Sequence, residues 1–97
     1  MDQKETMTDL EIRKRRLIYQ GNYRGSYEAD LLIGRFVKQH IAVMDERELN
    51  ELEHIMSLDD TDLTLWLTGA KEIPSELLGI PMFHKMREFA KIIHSKL

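Results

Sequence analysis

"SYEADLLIGRFVKQH", residues 26–40, decides how this chain folds. Ala29, Leu32, Ile33, Phe36, Val37 and His40 recur at the i, i+3, i+4, i+7 spacing of one helical face. No period-two alternation runs through the stretch, so it reads as a helix that begins near Ser26 and needs cover on its apolar side. Gly34 lies inside it, where glycine costs up to about 1 kcal/mol relative to alanine. A close crossing with another helix explains its presence.

The flanking segments supply that cover, and each also reads as helix. "TDLE" at 8–11 has the form of a capping box, with Thr8 accepting from the backbone and Glu11 reaching back. The helix that follows runs to about Gln20, and Gly21 suits a left-handed position at its end. Leu10 and Leu17 share its thin apolar face. "DERE" at 45–48 starts another helix, with Asp45 as cap and Leu49, Leu52, Ile55 and Met56 on its apolar side. "DDTDLTLWL" at 59–67 predicts a short helix with an Asp cap, Trp66 as a core anchor and Gly69 as its end. "AKEIPSELLGIP" at 70–81 is a connector broken by Pro74 and Pro81. Pro81 suits the first turn of a last helix that carries Met82, Met86, Phe89, Ile93 and Leu97 on one stripe. The predicted fold class is all-α: a single small bundle of about five short helices over residues 9–97, after a flexible tail at 1–8.

Composition narrows the function. A chain of 97 residues holds one core and leaves little room for an enclosed cofactor cavity. No apolar run approaches the roughly 18 to 20 residues of a membrane helix. The start, "MDQKETMTDLE", has no apolar core of a secretory signal, so the chain is expected in the cytoplasm. There is no cysteine, which removes disulfides, thiolate catalysis and Cys-based zinc sites. His40, His54, His84 and His94 do not fall at metal-motif spacing, and no phosphate-binding glycine loop or G-x-S-x-G is present. An enzyme is not expected. "RKRR" at 13–16 raises nucleic-acid binding, but the net charge is −3 and no basic recognition helix stands out.

The charge is segregated along the chain. Arg13, Lys14, Arg15, Arg16 and Arg24 stand against Glu11 in the first helix region. Eight acidic residues stand against Arg47 between Asp45 and Asp62. Such polarity is either a set of solvated helix faces or a surface that steers a protein partner. Arg24, Gly25 and Glu28 sit at the first chain reversal. Gly25 permits a positive φ there. As N-cap it would put Glu28 at the third helical position, with Arg24 paired to Glu28 or Asp30. Local capping alone does not require an arginine at 24.

"RRLIYQGNYRGSYEADLLIGRF" at 15–36, followed by "DDTDLTLWL", resembles the small flavinator family, the succinate dehydrogenase assembly factors of bacteria and mitochondria. The family's R-G-x-x-E motif is matched by Arg24, Gly25, Ser26, Tyr27 and Glu28. Arg16, Leu17 and Tyr19 match its lead-in, and Asp30, Leu31 and Leu32 match the entry to its second helix. Asp59, Asp60, Asp62, Leu63 and Trp66 match its acidic-Trp segment. Gly21, Asn22 and Tyr23 depart from the family pattern just before the motif.

The resemblance implies a non-catalytic chaperone. It would bind the flavoprotein subunit of succinate dehydrogenase, with that of fumarate reductase as a second candidate, and promote covalent FAD attachment there. Arg16, Arg24, Gly25, Glu28 and Asp30 are the implied partner-binding residues. No cofactor would be held tightly by this chain, no nucleic acid or membrane would be engaged, and the free chain would be a monomer. An antitoxin-like or other protein-binding regulator is the alternative.

Overall fold

A computed structural model describes residues 8–22 and 24–96. The tail expected over 1–8 lies outside the described residues except for Thr8, as do Tyr23 and Leu97.

Local side-chain caps start most of the helices. Thr8 and Glu11 cap each other reciprocally, at 3.0 and 3.1 Å, and open α1 (Asp9–Asn22). Asp45 and Glu48 form a complete capping box ahead of α3 (Glu46–Met56). Asp59 accepts from the backbone of Thr61 and Asp62 at the start of α4 (Asp60–Thr68), and Gly69 ends that helix at φ +83°. The connector is not all loop: Ser75–Leu78 forms a single helical turn, α5, which buries Leu77. Pro81 stands at the first turn of α6 (Pro81–Ser95), as expected. There the carboxylate of Glu51, from α3, accepts from the Met82 N–H at 3.1 Å. That places a negative charge at the positive end of the α6 dipole.

The helix at 26–40 is present, but its pitch changes along its length. α2 is α-helical over Tyr27–Ala29, takes a π-turn over Asp30–Gly34, returns to α over Arg35–His40 and closes as 3₁₀ over Ile41–Val43. The wider π-turn lets four consecutive residues, Leu31 to Gly34, all be buried. Both α1 and α6 pack against this turn.

The five expected helices, plus the single turn at α5, form a bundle without strands among the described residues. Leu17, Leu32, Ile33, Phe36, Leu49, Leu52, Ile55, Leu63, Met82, Phe83 and Met86 are its buried centre, and no polar or charged described residue is buried with them. Each such side chain contributes roughly 1.5–3 kcal/mol by leaving water. Met82 and Met86 are core, as read from the sequence. Trp66 is only half-buried against that core. Leu10 is exposed, leaving Leu17 as the residue that anchors α1.

Gly34 marks the predicted close crossing. A Cβ there would lie 2.4 Å from the carbonyl oxygen of Gly21. Gly21 is therefore no left-handed terminus. α1 continues through it to Asn22, and a Cβ on Gly21 would come within 3.1 Å of the Gly34 Cα. The two glycines let the α1 and α2 backbones touch.

Part of the charge segregation is spent inside the fold. Arg13 on α1 donates to both carboxylate oxygens of Glu53 on α3, at 2.9 and 2.8 Å, and to Asn50 at 2.6 Å. Lys14 donates to the Ala42 carbonyl at 2.9 Å. The basic helix is docked on the acidic one. Arg15 and Arg16 remain exposed.

Candidate partner-binding site

The α1–α2 turn is built around Gly25, at φ +98°, a conformation that L side chains rarely adopt. A Cβ at Gly25 would meet no atom within 4 Å, so backbone conformation and not space selects glycine here. The N-cap of α2 is Ser26, not Gly25: its hydroxyl accepts from the Ala29 N–H at 3.1 Å. A hydroxyl satisfies an orphan N–H, which glycine has no side chain to do. Glu28 thus occupies the second helical position. Its carboxylate is 45% exposed and lies 3.6 Å from His94 Nε2 on α6.

Arg24 does not pair through its side chain with Glu28 or Asp30. Only its backbone N–H reaches Asp30, at 3.3 Å. The guanidinium turns inward: Nη2 pairs with Asp60, the first residue of α4, and Nη1 donates to the Met56 carbonyl at 3.2 Å. Met56 is the last residue of α3, where carbonyls lack a helical partner. A planar fork satisfies that carbonyl and the Asp60 carboxylate together, and tertiary contact outcompetes the local partners. The Arg24 side chain is left only 7% exposed, so it is not the exposed group of a surface patch.

Two open clefts share the Arg24–Asp60 pair as a common wall. One, of about 510 Å³, lies between α1 and the α3–α4 corner and is lined by Arg16, Tyr19, Gln20, Glu53 and Ser57. The other, of about 330 Å³, is lined by Gly25, Ser26, Glu28, Thr61 and Thr64. In the first, the Arg13 guanidinium holds the Glu53 carboxyl below the usual carboxylate range by direct hydrogen bonding. Among the described residues no three His, Asp or Glu are placed to hold a metal ion. No described helix is long and apolar enough to cross a membrane. The arrangement is a pair of open recesses, each lined by both polar and apolar groups, on either side of the fixed Arg24–Asp60 corner.

Residues 15–90 match the family described as the flavinator of succinate dehydrogenase. The chain belongs to this family. It is similar, at 39% identity over 84 residues, to the FAD assembly factor SdhE of Acetobacter pasteurianus, covering 87% of this chain and 76% of that protein. It is also similar to the mitochondrial succinate dehydrogenase assembly factor 2 of Arabidopsis thaliana, at 34% identity over 73 residues. The counterpart in Yarrowia lipolytica is 33% identical over 86 residues. These alignments cover 75% and 86% of this chain. The chain spans 39% of the plant protein's length and 59% of the yeast protein's.

For this flavinator-family chain, four of the five implied site residues border the two clefts: Arg16 the first, Gly25 and Glu28 the second, and Arg24 both. Asp30 opens instead onto a separate shallow depression beside Asn22, Arg35 and Lys38, and touches the corner only through the Arg24 backbone. Sequence reasoning missed Asp60 and His94 as neighbours of the motif. Asp60 follows the Asp59 cap directly and reads as an ordinary first-turn charge. His94 stands 66 positions beyond Glu28, since 94 − 28 = 66, and carries no local signal.

Proposed function

We propose that this chain is a non-catalytic assembly factor that binds the flavoprotein subunit of succinate dehydrogenase and promotes covalent attachment of FAD to a histidine of that subunit. The bond-forming groups belong to the flavoprotein, which also holds the FAD; this chain binds no cofactor tightly. Family membership supports the assignment. The observation that carries it to particular residues is the corner itself, where Gly25 and Glu28 border one of the two clefts that meet at an arginine locked in place.

A helper of this kind works by population shift. It binds the attachment-competent state of the flavoprotein better than the others, and so raises that state's share. Glu28 is half-exposed and answers a basic or N–H group on the partner. Gly25 carries no side chain, so a partner backbone can approach the turn. Arg16, exposed at the edge of the larger cleft, meets a carboxylate. The fumarate reductase flavoprotein is a second client of the same surface. The chain acts in the cytoplasm as a monomer that pairs with its client.

The test is direct. The purified chain is mixed with succinate dehydrogenase flavoprotein carrying non-covalent FAD, and flavin fluorescence is followed in a denaturing gel. Covalent flavin should rise with the wild-type chain and not with Glu28→Ala. No rise with wild type would exclude the assignment.

A further inference from the structure

The geometry points to a clamp: Asp60 and the Met56 carbonyl hold Arg24, and the held Arg24 sets the corner from which the partner reads Gly25 and Glu28. Asp60 is thus a positioning residue of the site, and Arg24 acts through it and not by touching the partner. The inference rests on the proposed partner binding for its consequence, but the clamp itself is a property of the free chain.

Three observations carry it. Both terminal nitrogens of Arg24 are already engaged, one by Asp60 and one by Met56. Its Nε is enclosed and has no partner among the described residues, and the side chain as a whole is only 7% exposed, so little of the guanidinium faces outward. Asp60 is 35% exposed and lines both clefts, so the pair stands at the surface junction and not deep in the core. The clamp also ties three elements: the α1–α2 turn, the end of α3 and the start of α4. It accounts for the choice of arginine. Lysine is a point charge on a flexible stem and lacks the planar fork that spans two fixed acceptors. Removing Asp60 leaves the Arg24 charge poorly compensated in its recess, and the side chain then leaves for solvent, releasing the turn.

The experiment has two arms. In the free chain, amide hydrogen exchange is followed in Asp60→Ala and in the closer mimic Asp60→Asn, which retains an acceptor and serves if the first does not fold. Exchange at Gly25 to Ala29 should quicken by about tenfold in Asp60→Ala, as expected for loss of a charge-assisted bond, while α6 amides stay unchanged. Unchanged exchange at the turn in both variants overturns the clamp. In the second arm, binding to the flavoprotein is measured for Asp60→Ala, Arg24→Lys and the double variant. Each single change should weaken binding by about tenfold, and the double variant no further, because both remove one contact. Covalent flavin at saturating variant should return to the wild-type level, since Glu28 is intact. Wild-type binding by Asp60→Ala alongside weakened binding by Arg24→Lys would overturn the inference and make Arg24 a direct contact. If the wild-type chain itself does not bind, the proposed function fails, and the exchange arm alone decides the clamp.

Discussion

Gly34 and Gly25 lie nine positions apart, since 34 − 25 = 9, and serve opposite ends. Gly34 is buried and helical, and the space where its Cβ would go is occupied by the Gly21 carbonyl. Gly25 is exposed and left-handed, with open space around it. The first glycine is demanded by the chain's own packing. The second is demanded by a turn whose outer side is free. The crossing belongs to the fold and the corner to the surface, and the two should fail separately.

The largest effect should come from closing the crossing. Gly34→Ala forces the α1 and α2 backbones apart and should lower stability by about 3 kcal/mol, at the upper end of overpacking costs. Urea unfolding would register it as a fall in midpoint. Gly25→Ala should cost less, about 1–2 kcal/mol for a non-glycine residue in the left-handed region. Its loss of flavoprotein binding, measured on folded protein, should exceed what that instability explains. Equal damage to folding and binding in both variants would erase the distinction between crossing and corner.

Glu28→Ala sharpens the contrast further. Stability should change by less than about 0.5 kcal/mol, as for an ordinary surface site. Covalent flavin on the partner should nevertheless fall to background in the gel assay. The smallest effect belongs to Glu53, which lines the larger cleft but serves the fold through Arg13. Its folded pKa lies below the ordinary 4.5, so its contribution is present above pH 4.5 and is lost as pH falls through the lowered folded value. Glu53→Gln should therefore flatten the acid limb of a stability–pH curve. The change should be modest, because the carboxylate is 38% exposed and solvent screens the pair.

Much of the fold was legible because it is written locally. The caps at Thr8, Asp45 and Asp59 involve residues two or three apart, and the apolar spacing of 29–40 is a property of one segment. Gly34 could be read as a crossing because a mid-helix glycine needs a reason. Gly21 was misread because a glycine near a helix end looks the same whether it terminates or touches. Only the opposing Gly34 backbone distinguishes the two. The single turn at Ser75–Leu78 hid between two prolines, too short to show a period.

The site was legible in a different way. Its motif came from resemblance, and the turn at Gly25 from backbone chemistry. The fate of Arg24 was not legible: Glu28 and Asp30 stand four and six positions away, whereas Asp60 stands 36 away. Pairing between distant segments is set by how helices dock, and spacing along the chain carries no record of it. The charge blocks were read as candidates for an outward polarity, yet Arg13 and Lys14 turned out to hold α1 onto its neighbours. Arg15 and Arg16 are what remains for outward use.

The π-turn at Asp30–Gly34 sets an angular offset along α2. Each residue of an α-helix advances the face by about 100°. The extra residue in that turn therefore rotates everything beyond it, Phe36 and Val37 included, relative to Glu28. Were the turn one residue shorter, either the core face or the motif face could meet its neighbours, but not both. The length of five residues fixes the dihedral relation between what this protein keeps inside and what it shows to a client.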